Sequence, residues 1–142
     1  MTRKDRLWLV GRAGFVSGLI VLGVGGRVAM RVLAFLTLEE SNVTLFGTLG
    51  IIAAGAAWGF LTAPGLLLLG TEGDPKRSGS VGVLFGLFVL VPATLLFGAF
   101  SGFEGPIVAP RSFIVASSVV FPALFVVHGL LVVRLEARWS AS

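Results

Sequence analysis

Two long stretches of this chain contain no charged residue, and they constrain its fold more than any other feature. Residues 43–70 and 78–103 both exceed the roughly 20 apolar residues that a helix needs to cross a bilayer. Two further stretches are nearly as apolar, since residues 7–26 carry only Arg12 and residues 112–133 only His128. None of the four alternates like a barrel strand, and backbone groups in lipid must be satisfied internally. The sequence therefore predicts membrane-spanning helices.

Composition supports this class. Only 13% of the 142 residues are charged, against roughly 25% in soluble domains, and the high hydrophobicity excludes a disordered chain. The absence of cysteine excludes disulfides, thiolate metal sites and a cysteine nucleophile. We expect an all-α integral membrane protein, a single domain over residues 1–142, built as an antiparallel bundle of four transmembrane helices. Their approximate bounds are 7–36, 43–69, 79–102 and 111–136, and whether residues 28–38 continue the first helix stays open.

The distribution of Lys and Arg predicts the orientation. Eight of the eleven lie in the N-terminal, middle-loop and C-terminal segments, whereas Arg27, Arg31 and Arg111 fall on the opposite side. The positive-inside rule then places both termini in the cytoplasm and the bundle in the cell (inner) membrane. Trp8 and Trp139 fall at the cytoplasmic ends, where aromatic anchors are expected. Because the basic residues are scattered between apolar runs, they do not indicate nucleic-acid binding.

Arg27 and Arg31 are the most informative charged residues. They lie four apart and share one helix face, where like charges repel. A helical rise of about 1.5 Å per residue from Trp8 places Arg27 roughly 28 Å further on, at the outer boundary of the hydrocarbon. Three partners stay open: acidic loop residues on that side, lipid phosphates, or an anionic ligand at the outer mouth of the bundle. The other charged residues predicted on this side are Glu39, Glu40, Glu104 and Arg111.

His128 is a candidate intramembrane polar site together with Ser117 and Ser118. Ionisable residues within spans are functional candidates by default, and a proton relay or gate is one interpretation. The alternative, a neutral imidazole hydrogen-bonded to a neighbouring helix, is favoured because no carboxylate lies at comparable depth. The serines lie ten or eleven residues from His128, roughly 15 Å along a helix, which is too far for a serine–histidine nucleophile. We therefore expect no enzyme activity, no cofactor and no metal.

Pro92 and Pro122 lie near the middle of the third and fourth predicted helices. Each lacks the N–H of a helix interior and tends to kink its helix. Matched breaks of this kind can open a binding site in transporters. Proline is also frequent in membrane helices, where nearby Ser and Thr hydroxyls satisfy the freed carbonyls, and this interpretation is favoured.

Glycines recur four residues apart, a spacing that allows close helix approach in lipid. Glycine is also common in this chain, with 20 of 142 residues, so some pairs arise by chance. We expect at least two of the pairs to be contacts, within one chain or between chains. The pairs are Gly14/Gly18, Gly55/Gly59, Gly82/Gly86 and Gly98/Gly102.

Two resemblances follow from short segments. Residues 25–31 (GGRVAMR), residues 46–49 (FGTL) and the closing residues 128–136 resemble uncharacterised small bacterial membrane proteins. This resemblance implies a four-helix membrane protein and points to no particular activity. The order Gly-Gly, Arg, Gly-Thr-Leu is also similar to the small fluoride channels, which are dimers of four-helix subunits. The chain departs from that family where Ile52 stands near the channels' polar asparagine, and around Pro92, where their Thr/Ser- and Phe-rich motif is absent.

These features together predict a small polytopic membrane protein surrounded by the lipid bilayer. We expect an accessory or structural helix bundle that acts through helix–helix contacts, either with copies of itself or with a larger membrane protein. The alternative is a subunit of an oligomeric channel or transporter for a small anion or apolar solute. Arg27, Arg31, His128 and the paired prolines favour that alternative.

Overall fold

Helices account for nearly all of the structure, a computed structural model that describes residues 2–37, 44–69, 75–100 and 111–141. Side chains are described within these ranges except at 36–37, 75–78, 94–100 and 111–114. No strand occurs in the described ranges, so the chain is all-helical there. In chain order the elements are α1 (Arg3–Ser17), a π segment (Gly18–Gly25), α2 (Gly26–Thr37), α3 (Leu45–Thr62), a 3-10 segment (Ala63–Leu69), α4 (Pro75–Phe100) and α5 (Arg111–Ser140).

The first three elements join end to end into one continuous helix, residues 3–37, here termed the first helix. It begins four residues before the predicted start because Thr2 and Asp5 form a capping box. The Thr2 hydroxyl accepts from the Asp5 N–H at 3.2 Å, and the Asp5 carboxylate accepts from the Thr2 N–H at 2.8 Å. These bonds satisfy donors that a helix start otherwise leaves open. At the other end, residues 28–37 continue the helix.

The helix type changes at Pro64, at the end of α3. The α-helix stops at Thr62, and residues 63–69 form a 3-10 helix instead. Proline lacks the N–H of a regular helix and its ring clashes with the preceding turn, which disfavours a regular α-helix at this position. The helix predicted over residues 43–69 is thus an α-helix followed by a 3-10 segment.

Three helices are long and apolar enough to cross a membrane, as judged by length and composition. They are Arg3–Phe35, Leu45–Leu69 and Val115–Ser140. Within α4, the described apolar stretch Gly79–Ala93 is shorter. Helices of membrane-spanning length and apolar composition are thus confirmed for three of the four predicted spans.

Successive contacts show that neighbouring helices run in opposite directions. The first helix meets α3 through Gly14 with Gly59 near one end and Gly23 with Ile52 further along. It is also antiparallel to α5, because early residues of α1 contact late residues of α5. Helix α4 packs mainly along α5, and the 3-10 segment packs against α1 and α4.

The first helix and α3 touch backbone to backbone along a glycine seam. A Cβ placed on Gly59 would overlap the carbonyl oxygen of Gly14, and one on Gly18 would overlap that of Gly55. Further along, a Cβ on Gly23 would lie 2.9 Å from the Cα of Ile52. The seam therefore uses glycines at intervals of four and then five residues. A π-helix bonds each N–H to the carbonyl five residues back, so the π segment keeps Gly23 on the face that Gly14 and Gly18 define.

A second glycine seam joins α4 to α5. A Cβ on Gly86 would overlap the carbonyl oxygen of Phe125, and one on Gly129 would overlap that of Gly82. Both glycines of the predicted Gly82/Gly86 pair thus lie at a contact between two helices of the same chain. The Gly98/Gly102 pair lies outside the residues whose side-chain surroundings are described.

Both interior prolines lie inside continuous helices. Pro92 lies in α4 and Pro122 in α5, and each helix continues on both sides of its proline. Near Pro122, the Ser118 hydroxyl donates to the Val115 carbonyl at 2.8 Å. The carbonyl that Pro122 leaves without its helical donor is that of Ser118, four residues earlier, so this bond does not compensate for the proline.

A cluster of buried side chains lies where α1, the 3-10 segment, α4 and α5 meet. It is purely aliphatic and aromatic, with half-buried Trp58 and Trp139 packed against it. Because its members come from helices of both glycine seams, the cluster joins the two pairs of helices in one bundle. Its members are Val10, Ala13, Ala63, Leu66, Phe85, Val89, Val132 and Val133.

A methyl group on the first seam is expected to destabilise the bundle. Gly59→Ala places a Cβ against the backbone of Gly14, and overpacking of this kind costs about 1–3 kcal/mol. Gly50→Ala is the matched control in the same helix, because a Cβ there meets nothing within 4 Å. Thermal or denaturant unfolding in detergent measures both. Equal stability of the two variants would contradict the seam.

Candidate functional site

His128 is completely buried and hydrogen-bonded to the end of α1. Its Nδ1 lies 2.9 Å from the hydroxyl oxygen of Ser17, and that hydroxyl also donates to the His128 carbonyl at 3.0 Å. Both residues have 0% exposure. These hydrogen bonds connect α5 to the first helix at Ser17, directly before the π segment begins.

The two bonds define the hydrogen on the imidazole. The Ser17 hydroxyl has one hydrogen, and the carbonyl can only accept, so the hydroxyl donates there. In a neutral ring Nδ1 then carries the hydrogen and donates it to the serine oxygen. Nε2 is left as an acceptor, and it is buried without a partner among the described residues. The Phe85 ring lies beside the imidazole, with the ring centroids 6.2 Å apart.

The structure does not bring His128 together with Ser117 and Ser118, the two serines grouped with it in the prediction. Ser118 is exposed and bonds to the Val115 carbonyl of its own helix, while Ser117 is half-buried. The serine that reaches His128 comes from another helix, 111 residues earlier in the chain. Sequence reasoning missed Ser17 because nothing in its local pattern sets it apart from other small residues of the first helix.

Arg27 bridges the first helix and α3. Its Nε donates to the Thr48 hydroxyl at 3.2 Å, and the side chain is half-buried. Arg31, one turn further on, is exposed. The predicted partners Glu39, Glu40 and Glu104 lie outside the described residues, as does the side chain of Arg111.

The opposite end of the bundle holds charged contacts that the sequence did not predict. Arg6 donates through Nε to Glu136 at 3.1 Å, and Glu136 is only 7% exposed. The Arg12 guanidinium lies 5.9 Å from the centroid of the Trp139 ring, within cation–π range. The four residues join the beginning of α1 to the end of α5. One feature of the sequence could have predicted the ion pair: the first turn of α1 is basic, and Glu136 is the only acidic residue of α5.

An apolar groove lies between the first helix, α3 and α5. It encloses about 250 Å³, and three of its residues, Met30, Gly50 and Ala54, are exposed, so it opens on the surface of the bundle. No side chain that lines it is charged. Representative lining residues are Leu22, Met30, Ile51, Ala54, Phe121 and Leu124.

The described residues hold no cluster of three His, Cys, Asp or Glu side chains that could bind a metal ion. No protein-family model, curated protein or solved structure matches this chain. The arrangement offers two kinds of chemistry: a buried serine–histidine contact between helices, and an apolar groove near two arginines.

Removal of the Ser17 hydroxyl is expected to destabilise the bundle. Ser17→Ala leaves His128 Nδ1 buried without a partner, and such a loss costs about 1–3 kcal/mol. Ser118→Ala is the matched control, because that exposed hydroxyl bonds only within its own helix and should change stability by less than about 0.5 kcal/mol. Unfolding in detergent measures both variants. A Ser17→Ala protein as stable as the control would show that the buried bond contributes nothing.

Proposed function

We propose that this chain is a four-helix membrane protein with both termini in the cytoplasm, and that it acts without catalysis, as a helix bundle that contacts another membrane protein chain. The observation that carries the proposal is the pair of glycine seams. They hold four helices backbone to backbone within one chain, so the glycines of the two seams are already engaged and the outer faces are available to a partner.

Those outer faces are apolar. On α4, Leu84, Phe88 and Val91 are exposed and follow helical spacing, while Phe85 and Val89 on the other side are buried. A helix that is apolar on all sides is typical of a membrane or of a large protein core. These faces would contact lipid or the helix of a partner.

The length of α4 supports a fourth span. Its 26 residues extend about 39 Å at 1.5 Å per residue, enough to cross a bilayer. It also lies along α5, itself of membrane-spanning length, through the second glycine seam. Two helices packed side by side in this way are expected at the same depth.

The charged contacts support the orientation. Arg6 and Arg12 meet Glu136 and Trp139, so both chain ends and their basic residues lie at one end of the bundle. A concentration of Lys and Arg at one end is the signal that the positive-inside rule associates with the cytoplasm.

Cysteine labelling tests this topology cleanly, because the natural chain has no cysteine. Single variants Thr2→Cys, Ala141→Cys and Asn42→Cys are treated in intact cells with a membrane-impermeant maleimide. We expect only Asn42→Cys to react, and the other two to react after permeabilisation. Labelling of Ala141→Cys in intact cells would contradict a cytoplasmic C-terminus, and labelling of only one of the two terminal variants would contradict an even number of spans.

Native mass spectrometry of the protein extracted from its own membrane tests the proposed activity. We expect the 14.8 kDa chain in a complex with a second copy or a larger membrane protein, and no ion flux in liposomes. A solitary chain would contradict contact with a partner. Anion flux that is lost in the Arg27→Ala, Arg31→Ala double variant would instead support a channel.

A further inference from the structure

We propose that the apolar groove and the two arginines beside it bind one anionic phospholipid. An acyl chain would lie in the groove, and the phosphate would contact Arg27 and Arg31. The inference rests on the membrane placement in the proposed function, and the cysteine labelling tests that placement separately.

The groove suits a slender apolar occupant. Its volume of about 250 Å³ is below the roughly 300–1,000 Å³ typical of pockets that enclose a drug-sized ligand. The walls are Leu22 and Met30 of the first helix, Ile51 and Ala54 of α3, and Phe121 of α5. Because Met30 and Ala54 are exposed, the groove opens sideways on the surface of the bundle, where acyl chains surround a membrane protein.

The arginines lie beside the same walls. Arg27 follows Gly26, which lines the groove, and its bond to Thr48 joins the first helix to α3 two residues before Gly50, another lining residue. Arg31 follows Met30, also a lining residue, and is exposed. Both arginines belong to the first helix and directly follow residues that line the groove, so positive charge adjoins an apolar wall, which complements the phosphate and acyl chain of one lipid molecule.

Depth in the membrane agrees with a headgroup contact. Arg27 lies 20 residues beyond Leu7, about 30 Å at 1.5 Å per residue, close to the thickness of the hydrocarbon core. Thr48, its partner, lies in the first turn of α3, which begins at Leu45. Arginine side chains at this level reach lipid phosphates while their aliphatic stems stay in apolar surroundings.

The carboxylates described in the structure do not compete for these arginines. Asp5 caps the start of α1, and Glu136 pairs with Arg6 near the end of α5. Both lie at the end of the bundle away from the groove. Among the described contacts, Arg27 therefore meets a neutral hydroxyl and no opposite charge.

The test compares retention of phosphatidylglycerol and phosphatidylcholine by the full chain, measured by native mass spectrometry during lipid titration in detergent. The wild type is expected to prefer phosphatidylglycerol. In the Arg27→Gln, Arg31→Gln variant its affinity should fall about tenfold or more, as expected for two arginines at a membrane surface. The matched control is Arg134→Gln, Arg138→Gln, which removes two exposed arginines of the same spacing from the other end.

The control pair should keep the preference. Equal losses in both pairs would show a general charge effect and overturn the site, as would a wild type that binds the two lipids equally. The wild-type comparison requires no substitution, so the proposal can fail even where a variant does not fold.

A groove variant distinguishes the lipid from other occupants. Ala54→Phe fills the groove from an exposed position, and it should reduce phosphatidylglycerol retention about as much as loss of the arginines. Inorganic phosphate at millimolar concentration should not displace the lipid. Displacement by phosphate, or unchanged retention in Ala54→Phe, would overturn the acyl-chain contact. A dimer that Ala54→Phe dissociates would assign the groove to a second copy instead.

Discussion

Backbone-to-backbone contact between the first helix and α3 is the constraint on which the rest of the structure depends. In lipid, burial of apolar side chains does not drive helices together, so association depends on close packing and on contacts between backbones. At three successive levels the two helices approach so closely that a Cβ on the facing glycine would clash. Such contact requires glycine at each level, and it fixes the spacing that the sequence must keep.

That spacing explains the π segment. In a continuous α-helix, the residue four beyond Gly18 would follow it along the seam, and that residue is Leu22. A leucine there would collide with α3, where Gly23 now approaches Ile52. The wider turn of the π segment admits one extra residue, so Gly23 takes the seam and Leu22 lines the groove. The same change of register thus places Gly23 against α3 and places Leu22 in the wall of the apolar groove.

Much of this architecture could be predicted from the sequence, because apolar length and glycine spacing are local properties. Helical structure, three helices of membrane-spanning length and the glycine pairs at 14/18, 55/59 and 82/86 all follow from such patterns. The bond from Ser17 to His128 and the pair Arg6–Glu136 could not, since each depends on how two helices distant in sequence align. The π segment was missed because the five-residue interval from Gly18 to Gly23 has meaning only once α3 is known to face it.

Among the described residues, the two ends of the bundle differ in how their charges are satisfied. At the end that holds both termini, Arg6 meets a buried carboxylate and Arg12 an indole ring, so partners for both come from within the chain. At the other end, Arg27 meets the hydroxyl of Thr48, and Arg31 is exposed one turn away. A hydroxyl cannot neutralise a guanidinium, and two like charges four residues apart repel. An anionic group that reaches both arginines would relieve this repulsion.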